Sequence, residues 1–292
     1  MLAEQLLNGV IVGGLYALVA LGYTLVFGVL DKLNFAHPDI FMFGGYVAVA
    51  SLVLGAPVWA AVAVVAAVTG VLGLMVEIAS FRRFTSPDAH ITAALSSVAF
   101  GLVIVDLVQK QWGSEPLAIP LEGRGAAIVV FDVRLALVKL AALAATLVLL
   151  AVLYVVVSRT RFGRHMRAVA DSPVSAALLG INVRWVTQQV FFLASALAGV
   201  AGMLRVTITG FATSEVGFTF GLKALAIMAI GGMGDLRGAV LGGILVGMVE
   251  SVAFQIGLGQ VADVAVWVLM IAVLLVRPAG LFGGRHQREI RA

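Results

Sequence analysis

The sequence predicts an all-α membrane protein, a polytopic helical bundle of about eight or nine segments with discontinuous or re-entrant elements. Three observations predict it. Of 292 residues, 62% are hydrophobic and 12% are charged, where a soluble domain carries about 25% charged residues. Apolar windows recur, each near the roughly 20 residues that a helix needs to cross a bilayer, and the alternating ten-residue segments of a membrane β-barrel are absent. The 33 glycines suit close helix contacts, with Gly9/Gly13, Gly238/Gly242 and Gly243/Gly247 at small-xxx-small spacing.

In chain order, the expected spans are residues 6–30, 40–55, 57–80, 90–111, 135–157, 186–209, 219–233, 238–256 and 261–276. The start lacks the basic region and short apolar core of a signal peptide, so the first span reads as an uncleaved helix. Arg82 and Arg83 follow the third span. Arg159, Arg161, Arg164, Arg167 and Arg184 lie between the fifth and sixth, and Arg277, Arg285, Arg288 and Arg291 form the tail. The positive-inside rule places these three segments in the cytoplasm. Parity agrees, whether the last four apolar stretches are four crossings or two crossings and a re-entrant pair. Residues 112–134 are then an external loop. Trp59, Trp112 and Trp185 fall near the expected interfaces, as aromatic belt residues do. No polar stretch is long enough for a soluble domain, so residues 1–292 read as one transmembrane domain.

The net charge of +4 reads as the topology signal, because no basic run is interleaved with aromatics as nucleic-acid binding requires. With no cysteine there is no disulfide framework and no thiolate metal or redox site. No GxxxxGK[ST] string occurs, so the chain is not expected to hydrolyse ATP itself.

The segment 158–185, "SRTRFGRHMRAVADSPVSAALLGINVRW", is expected to be cytoplasmic. Ser158 to Ala170 reads as a basic helix leaving the membrane. Ser172 is a good N-cap, Pro173 suits the first helical position, and Gly180 stops a helix of about two turns over Pro173–Leu179. So short a helix needs a packing partner. Val174, Ala177 and Leu178 share a stripe, so an apolar knob sits between basic flanks. Spacing alone allows either an incidental topology loop or a docking helix for a cytosolic partner.

Here a resemblance enters. The residues Gly163-Arg164, Arg167-Ala168, Ala170-Asp171, Ala176 and Leu178-Leu179-Gly180-Ile181-Asn182 resemble the cytoplasmic coupling loop of LivH-like permeases, the membrane subunits of ABC importers for branched-chain amino acids. "LNFAHPDIFMFGGYVA", "AIMAIGGMGDLRGAVLGGILVGMVES" and "VWVLMIAVLLVRPAGLFG" resemble the same family, in the same order along nearly the whole chain. The resemblance implies a type II-like importer fold, and a coupling site of Arg167, Asp171, Ser172, Pro173, Val174, Ala177, Leu178, Leu179 and Gly180. It implies a heteromer in the bacterial inner membrane: this permease, a second related permease, two ATP-binding cassette ATPases and a periplasmic binding protein. ATP would bind the partner subunits, and no cofactor is expected here. One residue departs: Pro38 stands where the family usually has Gly, which bears on the backbone there and on substrate preference.

The stretch "LNFAHPDIFMFGGY", residues 33–46, sets polar residues between apolar runs. It reads either as a surface connection or as a broken helix at membrane depth. Non-helical backbone at depth is tolerated where it lines a cavity, and half-helix N-termini in transporters face anionic substrate groups. On the second reading, which the resemblance supports, Asn34, His37, Pro38 and Asp39 line the translocation path. Pro38 opens the next helix, and its free N–H groups face the gap. A second break, residues 229–243, adds Gly231, Gly232 and Gly234 to that path. Glu250 lies inside an apolar run, either in the path or as a structural partner of Lys223 or Arg205. Glu77 and Asp106 read as structural.

Rival classes have specific weaknesses. Gly232-Met233-Gly234-Asp235 is a GxGD string as in intramembrane aspartyl proteases, but no tyrosine is followed by the second aspartate of a dyad. An ion-coupled carrier needs a carboxylate relay, for which Glu250 is the main candidate, and has no use for a docking helix. Substrates other than branched-chain amino acids, such as urea, short amides or other amino acids, fit the same importer class.

Overall fold

A computed structural model of the chain describes residues 2–84, 89–119, 127–130 and 133–283. Eleven α-helices account for most of it: α1 (Leu2–Leu30), α2 (His37–Val53), α3 (Val58–Val76), α4 (His90–Trp112), α5 (Leu137–Arg159), α6 (Arg161–Asp171), α7 (Pro173–Leu178), α8 (Val183–Thr209), α9 (Val216–Gly231), α10 (Leu236–Gln255) and α11 (Ala262–Val276). Seven helices are long and apolar enough to cross a membrane, with α2 and α9 as shorter apolar helices between them. The chain is thus a polytopic helical membrane protein, and each expected span is matched within a few residues.

Glycine stripes set the centre. Gly9 and Gly13 of α1 lie against Gly247 and Gly243 of α10, so the two helices run antiparallel with their backbones nearly touching. A Cβ on Gly13 would fall 2.7 Å from the Gly243 carbonyl oxygen. Close backbone approach is what drives helix association where lipid removes the hydrophobic force. Gly44 and Gly199 repeat the device between α2 and α8, and Gly231 and Gly238 between α9 and α10. Helix α1 is therefore central, with 83% of its spanning window buried, while α11 is peripheral, with 11% buried. Gly13→Leu should lower the melting temperature of the purified protein well below that of a Leu→Ala change on exposed α11. Overpacking costs about 1–3 kcal/mol or more, and backbone cannot rotate aside. Equal melting temperatures for the two variants would contradict this packing.

The two ends of the bundle are separated by charge. Strand β1 (Leu117–Ala118) pairs with β4 (Phe211–Ala212), tying the chain after α4 to the chain after α8 on one side. The arginines at 82–83, 159–167 and 277 lie at the other, cytoplasmic end. There a π-helical turn, Glu77–Phe81, ends the third span and places Glu77 beneath Arg82, Oε2 to Nη2 at 2.6 Å. At the outer end Asp106 pairs with Lys110 at 2.7 Å.

Parity left open four crossings or two and a re-entrant pair. The end of α9 settles it. The backbone N–H groups of Leu281 and Phe282, which follow α11, donate to the carbonyls of Ile230 and Gly231 at 2.8 and 3.0 Å. Gly231 therefore lies at the same end as the arginine tail, so α8, α9, α10 and α11 cross in turn.

Two local expectations change. The basic stretch after α5 is not a continuation of it. Thr160 is extended and its side chain accepts from Gly163 N–H, and Gly163 is pressed against the backbone of Val157, so α6 starts afresh at an angle. In the segment read as an external loop, β2 (Ala127–Val130) and β3 (Val133–Ala136) form an antiparallel pair. The run "AIVV" is rich in β-branched residues, which favour strands. Residues 120–126 of that segment and the tail arginines Arg285, Arg288 and Arg291 lie outside the described residues.

Candidate functional site

The polar break begins where α1 ends. Asp31 takes a left-handed conformation at φ 53° and turns the chain. Lys32 donates to the Phe84 carbonyl, and a His90 ring nitrogen lies 3.1 Å from the Asp31 carbonyl, which tie this corner to the cytoplasmic end. Residues 31–36 then run back along α1. His37 reaches Val19, with Nε2 3.2 Å from its carbonyl oxygen, and packs on Gly22. From Val19 to Leu30 is about 16 Å of helix at 1.5 Å per residue. Helix α2 thus starts well inside the bundle.

The first turn of α2 is largely satisfied. Phe35 N–H donates to Ser97 Oγ at 2.9 Å, Ala36 N–H to Asn34 Oδ1 at 3.2 Å, and His37 N–H to the Asn34 carbonyl at 3.2 Å. The sequence places the free N–H groups after Pro38. Asn34 serves Ala36 and His37, which precede Pro38, Ile40 N–H donates to the Ala36 carbonyl at 3.1 Å, and His37 rather than Pro38 is the first helical residue. Asn34 and His37 are buried, at 1% and 0% exposure, yet Asn34 Nδ2 and His37 Nδ1 have no partner among the described residues. Pro38 is buried against Gly221 of α9, and Asp39 is half-buried between Gly101 of α4 and Gly217 of α9. The break therefore meets the N-terminal turns of the other short helix, α9.

The expected coupling site has the opposite character. Ser172 caps α7, its Oγ accepting from Ser175 N–H at 3.2 Å. Gly180, at φ +83°, ends it, with Gly180 and Ile181 N–H groups returning to Ala177 and Ala176 carbonyls at 3.0 Å. Ala176 is buried and anchors the helix, while Val174, Leu178 and Leu179 are 72%, 83% and 80% exposed. Ala177, Pro173 and Asp171 are exposed beside them. Arg167 stays on the scaffold, donating to the Val157 carbonyl. The α7 turn thus carries an exposed apolar cluster on a capped helix beyond the spans.

Residues 5–276 match the protein family described as the permease component of branched-chain amino acid transport systems. This chain belongs to that permease family. It is 31% identical over 293 residues to the high-affinity branched-chain amino acid transport system permease protein BraD of Pseudomonas aeruginosa, covering 96% of this chain and 95% of that one. Identity to the LivH permease of Escherichia coli is 30%, with the same coverage. A probable branched-chain amino acid permease of Methanocaldococcus jannaschii is 29% identical over 96% of this chain and 92% of its own.

In this permease, the second break lies apart from the first. Gly232 and Gly234 take positive φ of 105° and 85°, and Asp235 caps α10 by accepting from Arg237 and Gly238 N–H at 2.8 and 3.1 Å. Gly234 sits by Gly28, near the cytoplasmic end of α1, whereas His37 sits by Gly22, about 9 Å further in along the helix. Gly231, Gly232 and Gly234 therefore form a tight helix–helix turn at the cytoplasmic end, packed on residues 279–283.

Glu250 is not free. Its carboxylate is 2.8 Å from Lys223 Nζ and accepts from Tyr16 Oη at 2.7 Å, and Lys223 also reaches Asp263 at 2.7 Å. The network joins α1, α9, α10 and α11. The Lys223 alternative was legible as a charge inside an apolar run, but Tyr16 and Asp263 gave no signal in the sequence.

Proposed function

We propose that this permease is the membrane-spanning subunit of an ABC importer that passes branched-chain or related hydrophobic amino acids across the bacterial inner membrane. ATP is bound and hydrolysed by two separate ATPase subunits. A second related permease completes the path, and a periplasmic binding protein delivers the substrate. Family membership supports the class, and the names of the relatives support the substrate. The observation that carries the reading is α7: a capped helix at the cytoplasmic end leaves Val174, Leu178 and Leu179 exposed among the described residues. A carrier driven by an ion gradient has no use for such a surface, and its candidate relay, Glu250, is held in an ion pair.

The test is reconstitution of the permease pair with its ATPases in liposomes, with loaded binding protein outside and labelled leucine as substrate. Uptake should need ATP on the ATPase side. Uptake that persists without the ATPases, driven by a proton or sodium gradient, would overturn the reading.

Topology is checked separately in the subunit without its ATPases. Cysteines at Ser114 and Glu215, both exposed at the outer end, should react with an impermeant thiol reagent from the periplasm, and one at Ala177 from the cytosol only. The chain has no cysteine of its own, so each signal is specific. Reversed labelling would invert the membrane orientation.

A further inference from the structure

Two ionisable side chains meet the first turns of α9 from different helices. Asp39 of α2 lies with Oδ1 beside Gly217, where a Cβ on that glycine would be 3.2 Å away, and Oδ2 beside Gly101. Arg205 of α8 lies over the Phe220 ring, 5.5 Å from its centroid. Gly217 and Phe220 are one turn apart on the same face of α9, so the two charges flank a single helical turn. Neither side chain makes a hydrogen bond or an ion pair with another described residue, and they do not pair with each other. The other charges set among the spans do pair, as Lys223 with Glu250 and Glu77 with Arg82 show.

Charge at membrane depth is costly and persists where it is used. Asp39 stands in the first turn of α2 and beside the first turn of α9, where two helix dipoles favour an anion. Arg205 stands in the last turns of α8, where a dipole favours a cation. The same field argues against the carboxylate of a substrate entering the α2 N-terminus, since Asp39 already occupies it. An independent observation marks the place as polar but incomplete. Tyr23 is 1% exposed, its hydroxyl has no partner, and it points to the Pro38–Gly221 contact, 3.7 Å from where a Cβ on Gly221 would lie. The His37 ring, with its own unpaired Nδ1, is 4.8 Å from the Tyr23 ring.

We infer that Asp39 and Arg205 form a zwitterion station in the translocation path, Asp39 taking the α-ammonium of a passing amino acid and Arg205 its α-carboxylate. Opposite charges held too far apart to pair are bridged by a zwitterion that makes a charge-assisted contact of about 2.8 Å at each end. Tyr23 supplies a neutral polar contact beside the ammonium. This rests on the importer function proposed above and adds the two residues that read the substrate's charges inside the membrane.

The experiment uses the full importer in liposomes, with Asp39→Asn, Asp39→Glu and Arg205→Gln in this subunit. Three readouts are taken: assembly with the second permease, ATPase stimulation by loaded binding protein, and uptake of labelled leucine. Asp39→Asn and Arg205→Gln should assemble normally and keep ATPase stimulation, yet lose at least about tenfold in uptake, a loss of about 1.4 kcal/mol or more. Asp39→Glu should recover part of it. A diazirine analogue of leucine delivered by the binding protein should crosslink to α2 or α9 in the wild type and in Asp39→Glu, and much less in Asp39→Asn. Normal uptake in both charge-neutral variants would overturn the station. So would failed assembly of either variant with the second permease, because the charges would then be paired across that interface. Should the wild-type importer itself show no ATP-driven uptake, it is the importer reading that falls.

Discussion

Leu178→Asp leaves the permease inserted and folded but uncouples ATP hydrolysis from transport, with uptake falling at least about tenfold. The side chain is 83% exposed in the isolated subunit, so the substitution costs the fold little. Its effect appears when α7 enters an ATPase. An aspartate there is buried without a counter-charge, and truncating or leaving such a charge unpaired costs about 3–5 kcal/mol. Arg167 does not relieve it, being held by the Val157 carbonyl on the scaffold side of the segment. Leu178→Met, which preserves volume, should transport at near the normal rate. ATPase activity and uptake are measured together in liposomes. Normal uptake by the aspartate variant, in a fully assembled complex, would remove α7 as the coupling element.

The cap that holds α7 in place was readable in advance. Ser172, Pro173 and Gly180 act through their nearest neighbours, so local sequence contains the whole device. The same holds for the spans, whose apolar length is a local property, and for the glycine pairs, because Gly9/Gly13 and Gly243/Gly247 carry their spacing in the chain. What meets them is another matter. That these two stripes face one another depends on how α1 and α10 run, which no local pattern states. The depth of residues 31–36 is similar. A polar cluster between apolar runs reads alike at a surface or inside the bundle, and the contact of His37 with Val19 and Gly22 decides it. A carboxylate in the first turn of α2, Asp39, is visible in the sequence, but the bonds by which Asn34 takes up the N–H groups of Ala36 and His37 needed coordinates. The sequence offers Lys223 or Arg205 as the partner of Glu250. The structure gives that role to Lys223, and Arg205 makes no ion pair among the described residues.

Lys223→Met should destabilise the permease more than Glu250→Gln, and the asymmetry is the point of the measurement. Lys223 is 5% exposed and holds two carboxylates, Glu250 at 2.8 Å and Asp263 at 2.7 Å. Removing the ammonium leaves Glu250 inside the bundle with only the Tyr16 hydroxyl, and breaking a buried pair from one side costs about 3–5 kcal/mol. Asp263 adds less, because its side chain is 57% exposed and water screens it. Removing the Glu250 charge has a different result. The ammonium keeps Asp263 and the Tyr16 oxygen, at 3.1 Å, and a glutamine can still accept from Tyr16. That change should cost about 1–2 kcal/mol, in the range of a lost hydrogen bond to a charged group. Lys223→Met combined with Glu250→Gln should recover much of the single lysine loss, since the stranded carboxylate is gone. Thermal unfolding of the purified subunit in detergent measures all three. The network ties α9 to α10 and α11 at their outer ends, so the lysine variant should also lose protection there in hydrogen exchange. If Glu250→Gln proves as damaging as Lys223→Met, Glu250 has a role beyond holding the lysine, and the ion pair is not what fixes α9 in the bundle.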